Sequence, residues 1–319
     1  MIYPKGIKKG DTIGIVAPSG PFRATTLGEI ENALNDLGYN VKFGESCYGS
    51  YKGYLSSEDD IRAKDIEDMF LDKTVDGIFC LRGGYGTPRI LDLIDYNIIK
   101  NNPKFFVGFS DITGLHIAFN KYADLVTFHG VMAGTSPKWD EFTYNSLINA
   151  LNNNVTKFEN PNDEPIYTVV KGQCEGELIG GNLALIAAGI GTKYEIDTKD
   201  KILFIEDVGE AIYRLDRMLT QLSLAGKFDD CAGIVFGDFC DCNKENDDDF
   251  EILELIQDRV SKYNKPCIFN LKSGHCTPMI TLPFGCKYKL NATEKTLELI
   301  KDVYKRQLLQ QNILNTISP

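Results

Sequence analysis

Short apolar runs alternate with helix-patterned stretches four or five times over the first 130 residues, and this alternation constrains the fold most. Residues 12–17, 39–43, 75–81, 105–109 and 125–128 read as strands. Between them, residues 26–37 place Leu27, Ile30, Leu34 and Leu37 at helical spacing, with Gly38 as the stop. A second helix begins at Ser57, with Asp59 and Asp60 in its first turn, where the helix dipole favours acids. A third follows Gly83-Gly84-Tyr85-Gly86 and runs to Leu93, and a fourth spans 112–120. Strands separated by helices pair in parallel, so the expected class is α/β: a Rossmann-like parallel sheet with helices on both faces.

The texture changes after residues 152–165, which are rich in Asn, Asp and Pro as linkers are. Strands are expected at 167–170, 176–179, 202–205, 232–236, 267–271, 279–282 and 296–300. Helices are expected at 182–188, 211–224 and 250–263. A chain of 319 residues fits two domains. The expectation is a Rossmann-like domain over 1–150, a linker over 151–166, and a mixed, β-rich α/β domain over 167–302, with the active site between the two. Residues 303–319 form a tail of unassigned role.

Charge narrows the partners. Lys and Arg number 34 against 45 Asp and Glu, a net −11, with no run of four basic residues. Such a surface repels phosphate backbones and anionic bilayers, so neither nucleic acid nor membrane is an expected partner. No stretch approaches the ~20 apolar residues of a membrane span, and the N-terminus lacks a signal peptide's apolar region. Nine scattered cysteines, an odd number, suit buried thiols in a reducing cytoplasm better than a disulfide framework.

Few residues could carry chemistry. Of three histidines, His116 and His129 sit within apolar segments, as packed or hydrogen-bonded histidines do. His275 stands in the loop Ser273-Gly-His-Cys-Thr-Pro278 after a strand, where a general base could face a cleft. Ser110 follows the strand 105–109, with Gly108 two residues before it. That is half of a nucleophile elbow, since Ile112 replaces the second glycine; capping the next helix is the competing reading. Arg82-Gly-Gly-Tyr-Gly86 ends another strand, where backbone N–H groups can hold an oxyanion or carboxylate. It fails the dinucleotide fingerprint because Arg89 occupies the third glycine's place. Glu206 follows the strand 202–205, and Glu206 with Asp207 could instead cap the helix from Ala211. The segment 241–252 imitates a calcium loop but lacks its turning Gly and its closing Glu. Neither a metal nor any other cofactor is expected.

Taken together, these stretches resemble the L,D-carboxypeptidases of the serine type, or murein tetrapeptide carboxypeptidases. That family includes relatives conferring resistance to microcin-like peptide-nucleotides. The resemblance rests on Gly10-Asp-Thr-Ile-Gly-Ile-Val-Ala-Pro-Ser19, Leu81-Arg-Gly-Gly-Tyr-Gly86, Gly108-Phe-Ser-Asp-Ile-Thr113, Gly180-Gly-Asn-Leu183, Leu203-Phe-Ile-Glu-Asp207 and Ser273-Gly-His275, in that order along nearly the whole chain. It implies a homodimer with Ser110 as nucleophile, His275 as its base and Glu206 as the orienting acid. Amide hydrolysis needs those roles, and the N–H groups of Asp111 and of Gly84 (or Gly83) would complete an oxyanion hole. Arg82 is the candidate for the substrate's terminal carboxylate, with Gly83 and Tyr85 beside it. The implied reaction releases a C-terminal D-amino acid, D-Ala foremost, from a muropeptide in cell-wall recycling. The alternatives are hydrolysis of an aminoacyl- or peptidyl-nucleotide amide and, more remotely, a non-catalytic ligand-binding protein. The sole tryptophan, Trp139, lies in the first domain, away from where a base-stacking platform would be wanted.

Overall fold

The computed structural model describes residues 1–244 and 246–301; the tail 303–319 lies outside them. The first half builds β1 (Thr12–Val16), α1 (Leu27–Asp36), β2 (Asn40–Phe43), α2 (Asp59–Leu71), β3 (Gly77–Cys80), α3 (Thr87–Ile90), α4 (Tyr96–Asn101), β4 (Phe105–Gly108), α5 (Thr113–Ala123), β5 (Thr127–His129) and α6 (Glu141–Leu151). Thr26 caps α1 and shares a capping box with Glu29, an arrangement worth about 1 kcal/mol. The second half adds β6 (Lys157–Phe158), β7 (Tyr167–Val170), β8 (Gln173–Asn182), α7 (Leu183–Gly189), β9 (Ile202–Val208), α8 (Ile212–Leu224), α9 (Lys227–Asp230), β10 (Gly233–Cys240), α10 (Ile252–Val260), β11 (Cys267–Phe269), β12 (Leu282–Phe284), β13 (Lys287–Asn291) and β14 (Thr296–Leu299).

Two sheets result. The first has the order β12-β5-β4-β3-β1-β2, all parallel except β12, which runs antiparallel to β5. The second has the order β6-β14-β13-β8-β9-β10-β11-β7, parallel from β8 to β11 and antiparallel outside them. Two expectations shift. The strand expected at 279–282 lies at Leu282–Phe284, and it returns to the first sheet rather than joining the second. The polar stretch 152–165 is part of the packing: Phe158 is buried within β6, which extends the second sheet.

Side-chain alternation along the strands separates three cores. Ile78, Cys80 and Phe106 face α2, α4 and α5. Ile13, Ile15, Phe79, Phe105 and Val107 point the other way into a cluster that also holds Leu178, Ile202, Phe204 and Val235 of the second sheet. Leu203, Ile205, Ile234 and Phe236 face a third cluster under α7, α8 and α10. The middle core thus belongs to both halves of the chain. No helix among the described residues is long and apolar enough to cross a membrane.

Candidate active site

The carboxyl ends of parallel strands converge on one cleft. It encloses about 540 Å³ and is lined by Phe22, Arg23, Arg82, Gly83, Gly84, Phe109, Ser110, Met132 and His275, among others. Ser110 stands two residues beyond β4, in a 3-10 turn that leads into α5. Its φ of +64° is left-handed, a conformation uncommon for a non-glycine residue. The competing cap reading does not hold, because both the turn and α5 begin without a side-chain cap. Ile112, in the place of the second elbow glycine, folds back over Gly108. A Cβ on Gly108 would lie 2.9 Å from it.

Glu206 and His275 come from the second sheet. Along β9, Phe204 and Glu206 face the shared middle core, while Ile205 and Asp207 face α7. Glu206 is fully buried, and its Oε2 lies 2.7 Å from Nδ1 of His275. Gly274 makes that approach possible, since at φ +122° a Cβ there would stand 2.7 Å from the same oxygen. The His275 ring meets Phe109 edge-on at 4.8 Å, which sets it beside the Ser110 turn. Ser110 and His275 line the same cleft. Asp207 does cap a helix, but α7 rather than the one from Ala211: Oδ2 accepts the Ala184 N–H and Oδ1 the Asn182 amide. Burial pushes the Asp207 carboxyl up to about 6.

The glycine loop faces the serine. A Cβ on Gly83 would lie 3.1 Å from Ser110 Oγ and 3.6 Å from the Asp111 nitrogen, a tight fit against the hydroxyl that a side chain there would have to push aside. Gly84 has a φ of +113°. Arg82 is exposed in the cleft, with Nη1 donating to the Pro21 carbonyl at 3.1 Å. Tyr85 is not a lining residue; its ring leans on Tyr54 at 6.0 Å outside the cleft. Arg23 is a cleft cation the sequence reading missed, since it sits in a loop with no motif around it. Asp111 is buried, accepting from the Ser19 hydroxyl at 2.6 Å and the Thr87 N–H at 2.8 Å. Desolvation raises its carboxyl above the usual range.

The other two histidines are structural. His116 donates from Nε2 to the Gly108 carbonyl at 2.8 Å, and burial holds its imidazole at about 4. His129 stacks on Phe284 at 5.2 Å and is pushed well below the ordinary histidine range by burial. Trp139 packs on Phe79, its indole N–H spent on Thr135. Among the described residues no three His, Cys, Asp or Glu side chains are grouped to hold a metal ion. A cleft with a turn-held hydroxyl, a carboxylate-bound imidazole and a close glycine loop has the parts of acyl-transfer chemistry.

Comparison with known proteins matches each half of the chain. Residues 13–130 fit the model of the LD-carboxypeptidase N-terminal domain, and residues 175–290 that of the C-terminal domain. A Bacillus subtilis (strain 168) protein named "Probable murein peptide carboxypeptidase" is 39% identical over 301 residues, covering 92% of both chains. The solved muramoyltetrapeptide carboxypeptidase from Oxalobacter formigenes is 27% identical, with a TM-score of 0.76 over 90% of this chain and 97% of its own. An MccF-like protein from Bacillus anthracis is also 27% identical, with a TM-score of 0.81 over 94% of this chain and 99% of its own. With both halves and nearly all of its length matched, this chain belongs to the LD-carboxypeptidase family.

Proposed function

We propose that this protein is a serine carboxypeptidase that cleaves the L,D-peptide bond releasing a C-terminal D-amino acid, D-Ala foremost, from muropeptide tetrapeptides. The observation that carries the reading is the buried Glu206 carboxylate 2.7 Å from His275, in one cleft with a Ser110 held at φ +64°. His275 takes the Ser110 proton as the hydroxyl attacks the scissile carbonyl, and returns it to the leaving amine. Glu206 holds the imidazole with Nε2 free for that exchange and stabilises its charged form. The N–H groups of Asp111 and Gly84 receive the developing oxyanion; losing one such donor typically costs about 3–4 kcal/mol of barrier. Water then releases the acyl-enzyme by the same base. Arg82 meets the substrate's free carboxylate, and Gly83 lets the peptide lie against Ser110. Tyr85, outside the cleft wall, could only touch substrate that extends beyond it. In this reading the enzyme works in the cytoplasm, as a homodimer, on peptides recovered from the cell wall.

A second reading, hydrolysis of an aminoacyl-nucleotide amide, draws on the likeness to the MccF-like protein. One assay separates them. The protein is incubated with a diaminopimelate tetrapeptide, a lysine tetrapeptide and an aminoacyl sulfamoyl adenosine, and the products are weighed by mass spectrometry. Loss of one D-Ala from a tetrapeptide is the expected result, and turnover of the nucleotide alone would replace the first reading with the second. Ser110→Ala should abolish the activity while folding normally. Retention of more than about a tenth of the rate, a difference of only ~1.4 kcal/mol, would rule out the serine mechanism.

A further inference from the structure

We propose that the buried side chain of Asp111 is a positioning group. It pins the turn carrying Ser110 to the loops after β1 and β3, so that hydroxyl and oxyanion donors keep their register. The proposal rests on reading Ser110 as the nucleophile. Strands β1, β3 and β4 are neighbours in the first sheet, and their loops leave by the same edge. One carboxylate oxygen, Oδ2 of Asp111, gathers all three loops. It accepts the hydroxyl of Ser19, three residues beyond β1, and the N–H of Thr87, the first residue of α3. The Thr87 hydroxyl in turn donates to the Asp111 main-chain carbonyl.

The consequence for Gly83 and Gly84 is geometric. Their loop spans only from the end of β3 to Thr87, so fixing Thr87 fixes where their N–H groups point. On its other side the same loop is held by Arg62, a fully buried guanidinium that donates to the carbonyls of Pro18 and Gly86. Gly86 is in close contact there, since a Cβ would stand 3.1 Å from the Ser19 Cα. Without the Asp111 anchor, the Ser110 turn keeps its strained φ with one fewer restraint, and the glycine loop can drift away from the hydroxyl.

Asp111→Ala, Asp111→Asn, Ser19→Ala and Ser110→Ala test this, each with a thermal melt to establish folding. Asp111→Ala is expected to lower kcat about 100-fold with KM within about twofold, the size of effect an ångström of misplacement produces. Asp111→Asn should recover to within about tenfold of wild type, because an amide oxygen can still accept from Thr87. A substrate-like peptide boronic acid, which forms a tetrahedral adduct on a serine hydroxyl, should bind Asp111→Ala more weakly by the factor lost in kcat/KM. The product peptide should bind as before. Should Asp111→Ala not fold, Ser19→Ala carries the test, with about a tenfold loss in kcat and the same boronate pattern. A kcat within about threefold of wild type in the folded variant overturns the proposal, being too little for lost register. So does an equal loss of boronate and product affinity, which would mean general loosening. Activity surviving in Ser110→Ala overturns the nucleophile reading and this proposal with it. An inactive Ser110→Ala beside an unimpaired Asp111→Ala overturns this proposal alone.

Discussion

Burial divides the three histidines along the same line as their sequence settings. His275 reaches a cleft and a carboxylate, whereas His116 and His129 lie behind the serine turn with no charged partner. A neutral buried imidazole has a consequence for stability. His116 is held at about 4, below the ~6.5 of an exposed histidine, so between those values the unfolded chain binds a proton that the fold refuses. Its contribution is intact above pH ~6.5 and is lost as the pH falls toward 4, at up to about 1.4 kcal/mol per pH unit. His129 adds in the same direction, and Asp207, raised to about 6, opposes. The clean measurement is therefore a difference. Melting temperatures of wild type and His116→Gln should draw together as the pH falls from 7 to 4.5, because glutamine keeps a donor without the titration. The pH dependence of kcat/KM should not move.

Elements were legible where a pattern is local, and illegible where the partner is distant. The strands ending at Val16, Cys80 and Gly108 and the helix capped by Thr26 follow from runs of a few residues. The helix Glu141–Leu151 and strand Lys287–Asn291 escaped, and no short motif marks β12, whose place is set by pairing with β5 across 150 residues of chain. At the site, the motifs pointed to Ser110, Glu206 and His275, which the structure gathers at one cleft, but the nearness of Arg23 and the Ser19–Asp111 hydrogen bond depend on loops meeting in space. The loop Ser273–His275 carries a prediction of its own. Gly274→Ala would combine a left-handed backbone, costing a side-chain residue roughly 1–2 kcal/mol, with a Cβ 2.7 Å from Glu206 Oε2. The carboxylate must then leave His275 Nδ1, and kcat/KM should fall at least about tenfold in a folded protein. Gly226→Ala is the control: φ is +74° with nothing within 4 Å, so stability should drop with activity unchanged. Equal activity in both variants would break the link between the loop and the Glu206–His275 pair.

At the scale of the molecule, the two family-model segments divide the sequence more cleanly than the packing does. The middle core takes Phe79, Phe105 and Val107 from the first sheet and Phe204, Val235 and Ile268 from the second. Strand β12 lies near the end of the chain yet completes the first sheet against β5. The helix that follows Ser110 is joined directly to the strand bearing Asn182, where the Asn182 N–H donates to Thr113 Oγ1 at 2.9 Å. Gly181 brings the backbones together there, since a Cβ would lie 2.3 Å from that oxygen. A fragment of residues 1–150 therefore loses β12 from the edge of β5 and half of its middle core, including Leu178, Phe204, Leu282 and Phe284. Exposing an unpaired edge beside that much apolar surface favours association over folding. Expressed alone, the fragment should aggregate or melt without a cooperative transition; co-expressed with residues 151–319, it should be recovered as a soluble, catalytically active pair. Circular dichroism melts and size-exclusion chromatography read the difference. A monomeric fragment melting within about 2 °C of the intact chain would mean that the shared core contributes under about 1 kcal/mol to the first sheet, and that each half holds its own part of the catalytic machinery in place.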